Sequence, residues 1–171
     1  AARVSEEKGI NAVIVSGDRD LLQLATDNVL IRMPKTKRGT TEIENYYAAD
    51  VKEVYQVNPP QIIELKALMG DASDNIPGVP GIGEKTATNL IVAYGSIENA
   101  YAHVEEIKPN RAKEALRNHY DMAKMSKKLA TICVQAPLEL SWENAKLTNL
   151  YTPEVYEWFK KLNFKKLLSR F

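Results

Sequence analysis

The chain has 171 residues, of which 44% are hydrophobic and 26% charged, and its formal net charge is +1. This composition is typical of a folded globular protein with one or two small domains, and it excludes a disordered chain. No apolar run approaches the roughly 20 residues that a transmembrane helix needs, so we expect no membrane partner. Cys133 is the single cysteine, which excludes an internal disulfide and fits a reducing compartment such as the cytoplasm.

The first third of the chain, residues 1–57, has the pattern of an α/β unit. The apolar run 11–15 follows a helix-like segment and precedes a polar turn, which predicts a buried parallel strand. Residues 28–33 predict a second strand, and Pro34 is expected to end it. Residues 40–43 then predict a short returning strand.

Residues 58–171 are predicted to form a second, helical portion. Apolar residues recur with helical spacing over 87–94, which predicts a helix with one buried face. Further along, the pattern predicts two separate helices at 109–120 and 122–131. In the last helix we expect Trp158 to face inward. The fold class is therefore α/β followed by all-α.

Two pairs of aspartates are the first candidates for chemistry. Asp18 and Asp20 come directly after the strand at 11–15, where ligands collect in open parallel sheets. Asp71 and Asp74 are three residues apart and can lie on one face of a turn. Each pair alone is explained by helix capping or turn formation.

The two pairs together favour a metal site. Four carboxylates around one point repel each other unless a cation neutralises them. Oxygen ligands favour Mg²⁺ or Mn²⁺ over Zn²⁺. We therefore predict that Asp18, Asp20, Asp71 and Asp74 act as metal ligands and as catalytic residues.

The run 77–87, which follows the second pair, reads as a helix-hairpin-helix. Glycines allow the tight turn, and N–H groups at the start of the next helix can approach a phosphate. Such a turn contacts the DNA backbone and not the bases, so binding is expected to be independent of sequence. The alternative is a glycine-rich loop that only packs two helices. The predicted DNA-binding residues are Gly78, Gly81, Gly83, Lys85 and Thr86.

These motifs, in this order and spacing, resemble the 5′-nuclease (5′-3′ exonuclease) domain of bacterial DNA polymerase I, which belongs to the flap endonuclease superfamily. The resemblance rests on the segments 16–24, 70–75 and 77–87, and it covers essentially the whole chain. It implies that residues 1–57 are the remnant of a PIN-like parallel-sheet nuclease domain. It further implies that residues 58–171 form a SAM-like helical subdomain that contains the helix-hairpin-helix, or helix–two-turn–helix.

The resemblance also implies a function. The family hydrolyses phosphodiesters of duplex or flap DNA by a two-metal mechanism during replication and repair, and its hairpin commonly holds K⁺. The family's earlier acidic segment, which builds the first metal site, is absent from this chain. We therefore expect a monomeric piece of a longer bacterial, cytoplasmic polymerase chain that cuts little by itself. The alternatives are a non-catalytic helix-hairpin-helix DNA-binding module and a scaffold domain whose acids are only caps.

Overall fold

A computed structural model describes residues 2–37, 40–137 and 141–171 of the chain. The chain divides into two compact units, Ala1–Gln135 and Ala136–Phe171. The strands and helices described in the first unit are β1 (Ala12–Val15), β2 (Val29–Lys37), β3 (Thr40–Tyr46), α1 (Ala2–Glu7), α2 (Ala48–Tyr55), α3 (Ile62–Met69), α4 (Glu84–Tyr94), α5 (Ile97–Ala102) and α6 (Asn110–Ala130). Those described in the second are α7 (Pro153–Lys161) and α8 (Lys165–Leu168).

The described strands form one sheet in the order β1-β2-β3. β1 pairs with β2 in parallel, which confirms the predicted parallel pairing, and β3 returns antiparallel to β2. The predicted burial of β1 is wrong, because Val13 and Val15 are exposed on this strand, which pairs only with β2 among the described strands. The prediction that Pro34 ends β2 is wrong, because β2 continues through it to Lys37. β1 ends at Val15 opposite Arg32, so β2 is paired only with β3 at Pro34. A proline without an N–H group is tolerated on such an open side.

A continuous hydrophobic core joins the sheet to the helices of the first unit. Ile31 of β2 is fully buried and belongs to the same cluster as Leu68 of α3, Ile91 of α4 and Leu116 of α6. The boundary predicted near residue 57 falls inside this unit, where Val57 is itself buried in the cluster. The core therefore packs β2 of the sheet against α3, α4 and α6 in one cluster.

Two helix predictions agree with the structure. Ala87, Leu90 and Ile91 are buried, which confirms the inward face of α4. The two helices predicted on either side of residue 121 are present as two helical stretches of α6, which meet at a kink where His119 has non-helical angles (φ −126°, ψ 25°). None of the helices in the described ranges is both long and apolar enough to cross a bilayer.

The second unit is held together by aromatic contacts. The ring of Phe171 lies 5.0 Å from Tyr151, 5.3 Å from Tyr156 and 5.9 Å from Phe159. The prediction that Trp158 faces inward is wrong, since the residue is 51% exposed. The Lys161 ammonium lies 4.7 Å from the centroid of the Trp158 ring. The indole therefore packs against a solvated cation instead of a core.

Candidate functional site

The first acidic pair lies where β1 ends and a 3₁₀ turn, Arg19–Leu24, begins. Asp18 is the N-cap of this turn, and its Oδ1 accepts a hydrogen bond from the Asp20 N–H at 2.9 Å. The capping role considered for Asp18 from the sequence is therefore present in the structure. Asp20 is the second residue of the turn, and only its backbone N–H takes part in this cap, so its carboxylate can contact other residues.

The second acidic pair lies in a closed loop that follows α3. Asp71 and Ile76 exchange two backbone hydrogen bonds of 2.8 and 2.9 Å, which pins the loop at both ends. Inside the loop, the Ser73 N–H and hydroxyl both donate to Asp71 Oδ1, at 2.9 and 2.5 Å. The position of the Asp71 carboxylate is thus fixed by its own loop.

The structure brings three of the four predicted carboxylates together. One oxygen from each of Asp20, Asp71 and Asp74 lies within 4.8 Å of the other two. Asp18 is not part of this group, but it lines the same pocket as Asp71 and Asp74. We call Asp20, Asp71 and Asp74 the acidic cluster.

Lys66 is the residue of this site that sequence reasoning missed. Its side chain comes from α3, is 7% exposed, and places Nζ 2.6 Å from Asp71 Oδ2 and 3.9 Å from Asp74 Oδ2. The same ammonium also contacts Asp20 Oδ1. Hydrogen bonds from Lys66 and then from Ser73 lower the pKa of Asp71 from 3.8 to about 2. A sequence signal existed, since Lys66 interrupts an otherwise mostly apolar helix shortly before Asp71.

The donor set of the acidic cluster fits a hard divalent cation. It offers carboxylate oxygens alone, and two of these residues, Asp71 and Asp74, remain partly exposed on the pocket side. Lys66 contacts the same oxygens that such a cation would use. A divalent ion and the Lys66 ammonium therefore compete for Asp20 and Asp71, because like charges cannot share one shell without cost.

The hairpin predicted to bind DNA lies directly against the acidic loop. A Cβ atom added at Gly78 would stand 2.2 Å from the Gly70 backbone nitrogen, so the two glycine backbones touch. Next to this contact the Val79 N–H donates to the Leu68 carbonyl at 2.7 Å. Gly78 is itself buried, and its N–H donates to Ser126 Oγ at 3.0 Å. Gly78 thus fastens the hairpin to α3 and α6 and does not present its N–H to solvent.

The other predicted DNA-binding residues of the hairpin lie at or near its surface. Gly81 has φ +87°, and Gly83 is the N-cap of α4. Gly81, Gly83 and Lys85 are exposed, whereas Thr86 is half-buried in the first turn of α4. The first N–H groups of a helix have no intrahelical acceptor, and the helix dipole makes this end attractive to anions. The arrangement can hold a phosphate without reading a base.

Comparison with known proteins now defines the class. A family model described as "5'-3' exonuclease, C-terminal SAM fold" matches residues 57–152, which is more than half of the chain. The chain therefore belongs to the 5′-3′ exonuclease family with this C-terminal SAM fold. Its sequence is similar to DNA polymerase I of Bacillus caldotenax, with 48% identity over 170 residues. DNA polymerase I of Bacillus subtilis (strain 168) is 43% identical over 169 residues.

Each of these alignments covers 99% of this chain and 19% of the relative, so the chain spans about a fifth of their length. Among solved structures, T5 5′-exonuclease with bound divalent metal ions (zinc) matches with a TM-score of 0.62 and 28% identity. The match covers 75% of this chain and 47% of that chain. A bacteriophage T5 D15 flap endonuclease complex with DNA and metal ions matches with the same TM-score, 27% identity and the same coverage. The predicted family and the mixed α/β and SAM-like helical fold class are thereby confirmed.

Proposed function

We propose that this chain is the part of a DNA polymerase I-type 5′-3′ exonuclease, or flap endonuclease, that holds duplex or flap DNA and supplies one of its metal sites. The parent protein hydrolyses phosphodiesters by a two-metal mechanism in replication and repair in the bacterial cytoplasm. One observation carries the proposal: carboxylates from two distant segments gather within 4.8 Å of one another. The hairpin that can hold a phosphate is fastened to the loop that carries two of them.

The ion that we propose for the acidic cluster is Mg²⁺ or Mn²⁺. Asp20, Asp71 and Asp74 would hold it, with Asp18 at the rim of the same pocket. When bound, such an ion supplies activation of water and neutralises charge that develops on the phosphate. Lys66 keeps the carboxylates close together in the absence of the ion, because its ammonium offsets their repulsion.

The DNA contact that we propose uses Gly81, Gly83, Lys85 and Thr86. The backbone N–H groups at the start of α4 and the Lys85 ammonium would contact the sugar-phosphate backbone, so binding is independent of sequence and sensitive to salt. Gly78 supports this turn from beneath. By resemblance to the family, carbonyl groups of the hairpin would hold K⁺. We propose that the chain is a monomer and works within a longer polymerase chain.

The isolated chain is proposed to cut DNA little or not at all. Two metals about 4 Å apart stabilise the attacking and leaving oxygens in the two-metal mechanism. Within the described ranges, a single group of three or more potential ligands was found. One ion held there cannot perform both functions.

A second candidate is a non-catalytic helix-hairpin-helix DNA-binding module. The buried Lys66 favours it, because an ammonium that already neutralises the cluster removes the need for a metal. The two candidates differ in their dependence on divalent ions. As part of a nuclease, the chain binds Mn²⁺ at Asp71 and Asp74, whereas a simple module binds DNA without any such site.

The test is a pair of titrations on the purified chain. We expect salt-sensitive binding of a 5′-flap duplex at low ionic strength, and one Mn²⁺ site that is lost in Asp71→Asn/Asp74→Asn. Binding of DNA without any Mn²⁺ site would favour the simple module. Efficient Mg²⁺-dependent release of 5′ nucleotides would contradict the expected inactivity of the isolated chain, and absence of DNA binding would refute both candidates.

A further inference from the structure

A groove beside the acidic cluster extends the site described so far towards the hairpin. It lies between the 3₁₀ turn after β1 and helices α2, α3 and α4. The groove and the pocket around the acidic cluster share Arg19, Lys66 and Asp71, so the two depressions are contiguous. The groove therefore leads from α4 of the hairpin to the carboxylates. Its apolar floor is formed by Leu22, Val54, Ile62, Leu65 and Met69.

Two cations on the rim of this groove are uncommitted. Arg19 stands between Asp18 and Asp20 in sequence, yet among the described residues neither its guanidinium nor the Lys85 ammonium forms a salt bridge. Lys66, by contrast, is fully engaged with the acidic cluster. Arg19 is exposed and lines both depressions, and Lys85 lines the groove at the α4 end. An exposed arginine that pairs with neither adjacent carboxylate is available for an anion from outside.

We infer that the groove is a binding site for one strand of DNA, with Arg19 as a phosphate-binding residue near the acidic cluster and Lys85 as its counterpart at the hairpin. The inference rests on the proposed function. Two carboxylates also line the groove, Asp71, which Lys66 neutralises, and Glu84 next to Lys85. Arg19 and Lys85 match phosphates in charge, and Arg19 offers a fork of donors that suits a phosphate. The apolar floor, with Tyr55 beside it, suits the sugars and bases of an unpaired strand. Because the groove is contiguous with the carboxylates, a strand in it is delivered to them.

A salt titration with two substrates tests this assignment. DNA binding by the whole 171-residue chain is measured against salt concentration in Ca²⁺, using a duplex with a single-stranded 5′ extension and the same duplex with blunt ends. The variants are Arg19→Gln and Lys85→Gln, with Arg19→Lys as the charge-retaining form. Arg3→Gln is the matched control, because Arg3 pairs with Glu7 on the surface of α1.

Arg19→Gln is expected to lower the magnitude of the salt slope by about 0.7 for the extended substrate, the value for one phosphate contact on a single strand. It is expected to leave the slope for the blunt duplex unchanged. Lys85→Gln lowers both slopes, Arg19→Lys restores the extended-substrate slope, and Arg3→Gln changes neither. The thermal melting of each variant shows whether the fold is intact.

Three results would overturn the inference. If Arg19→Gln leaves the salt slope of DNA binding unchanged for both substrates, Arg19 contacts no phosphate. The groove would then bind a protein segment instead of a DNA strand. If Arg19→Gln lowers the salt slope equally for both substrates, Arg19 contributes only a general electrostatic attraction to DNA. If the wild-type chain binds neither substrate at low salt, the proposed function fails as well, which distinguishes that outcome from the first two.

Discussion

The contact between Gly78 and Gly70 gives the most direct test of how the hairpin is fastened to the acidic loop. In Gly78→Ala, the new Cβ would lie 2.2 Å from the Gly70 nitrogen and 2.6 Å from the Met69 carbonyl carbon. Both are backbone atoms that no side-chain rotation can move away. Gly9 is a matched control, because it has the same φ of +64° and nothing within 4 Å of an added Cβ.

Both substitutions place a Cβ atom on a left-handed backbone, but only Gly78→Ala also crowds neighbouring atoms. A left-handed conformation costs a residue with a Cβ about 1–2 kcal/mol, which applies to both Gly9→Ala and Gly78→Ala. Crowding in a packed site adds about 1–3 kcal/mol, which applies to Gly78→Ala alone. We therefore expect Gly78→Ala to lower the free energy of unfolding by about 1–3 kcal/mol more than Gly9→Ala.

Urea denaturation followed by far-UV circular dichroism measures this difference. Tryptophan fluorescence is unsuitable, because Trp142 and Trp158 both belong to the unit Ala136–Phe171 and not to the unit that holds the contact. Loss of a cooperative transition in Gly78→Ala, with Gly9→Ala still folded, would agree with the expectation. Equal stability losses in the two variants would refute the close contact as a determinant of this fold.

Three further results are expected. Ser126→Ala should lower the free energy of unfolding by about 1–3 kcal/mol in urea denaturation, because the buried Gly78 N–H loses its acceptor; an unchanged stability would count against that bond. Lys127→Met should destabilise the fold more than Glu64→Gln. In Lys127→Met the buried Glu64 carboxylate keeps only its hydrogen bond from the Ile97 N–H, whereas in Glu64→Gln the Lys127 ammonium still pairs with Glu98. The reverse order of the two urea denaturation midpoints would contradict this network. Burial, followed by the hydrogen bond with Glu44, raises the pKa of Tyr46 from 10.0 to about 12. The stability that Tyr46 contributes is therefore present below pH 10.0 and lost as the pH rises towards 12. Tyr46→Phe should show a smaller loss of stability over that interval than the wild-type chain, and parallel stability profiles would argue against the raised pKa.

The elements that sequence could predict are those specified by local patterns. The apolar run 11–15 indicated a parallel strand and the helical spacing over 87–94 indicated a buried helix face, and both agree with the structure. The burial predicted for the strand does not agree, because Val13 and Val15 are exposed and burial depends on what packs against a strand. Pro34 was misread because its effect depends on whether a neighbouring strand is present there. Trp158 was misread because its ring packs against Lys161, and hydrophobicity alone cannot distinguish that environment from a core.

The candidate site shows the same division between local and long-range information. The closeness of Asp71 and Asp74 to the hairpin follows from their proximity in sequence and was visible there. The role of Lys66 was not, because its ammonium meets Asp20, 46 residues earlier, only after α3 packs against the 3₁₀ turn that follows β1. The hydrogen bond from Gly78 to Ser126 likewise spans 48 residues. Tertiary packing, and not any local pattern, decides these contacts.

Anomalous scattering from crystals of the chain soaked in Mn²⁺ tests the central claim most directly. The account predicts a peak among the carboxylate oxygens of Asp20, Asp71 and Asp74, with the Lys66 ammonium displaced from at least one of the oxygens it now contacts. A soak that leaves Lys66 paired with Asp20 and Asp71, with no anomalous peak beside them, would contradict it.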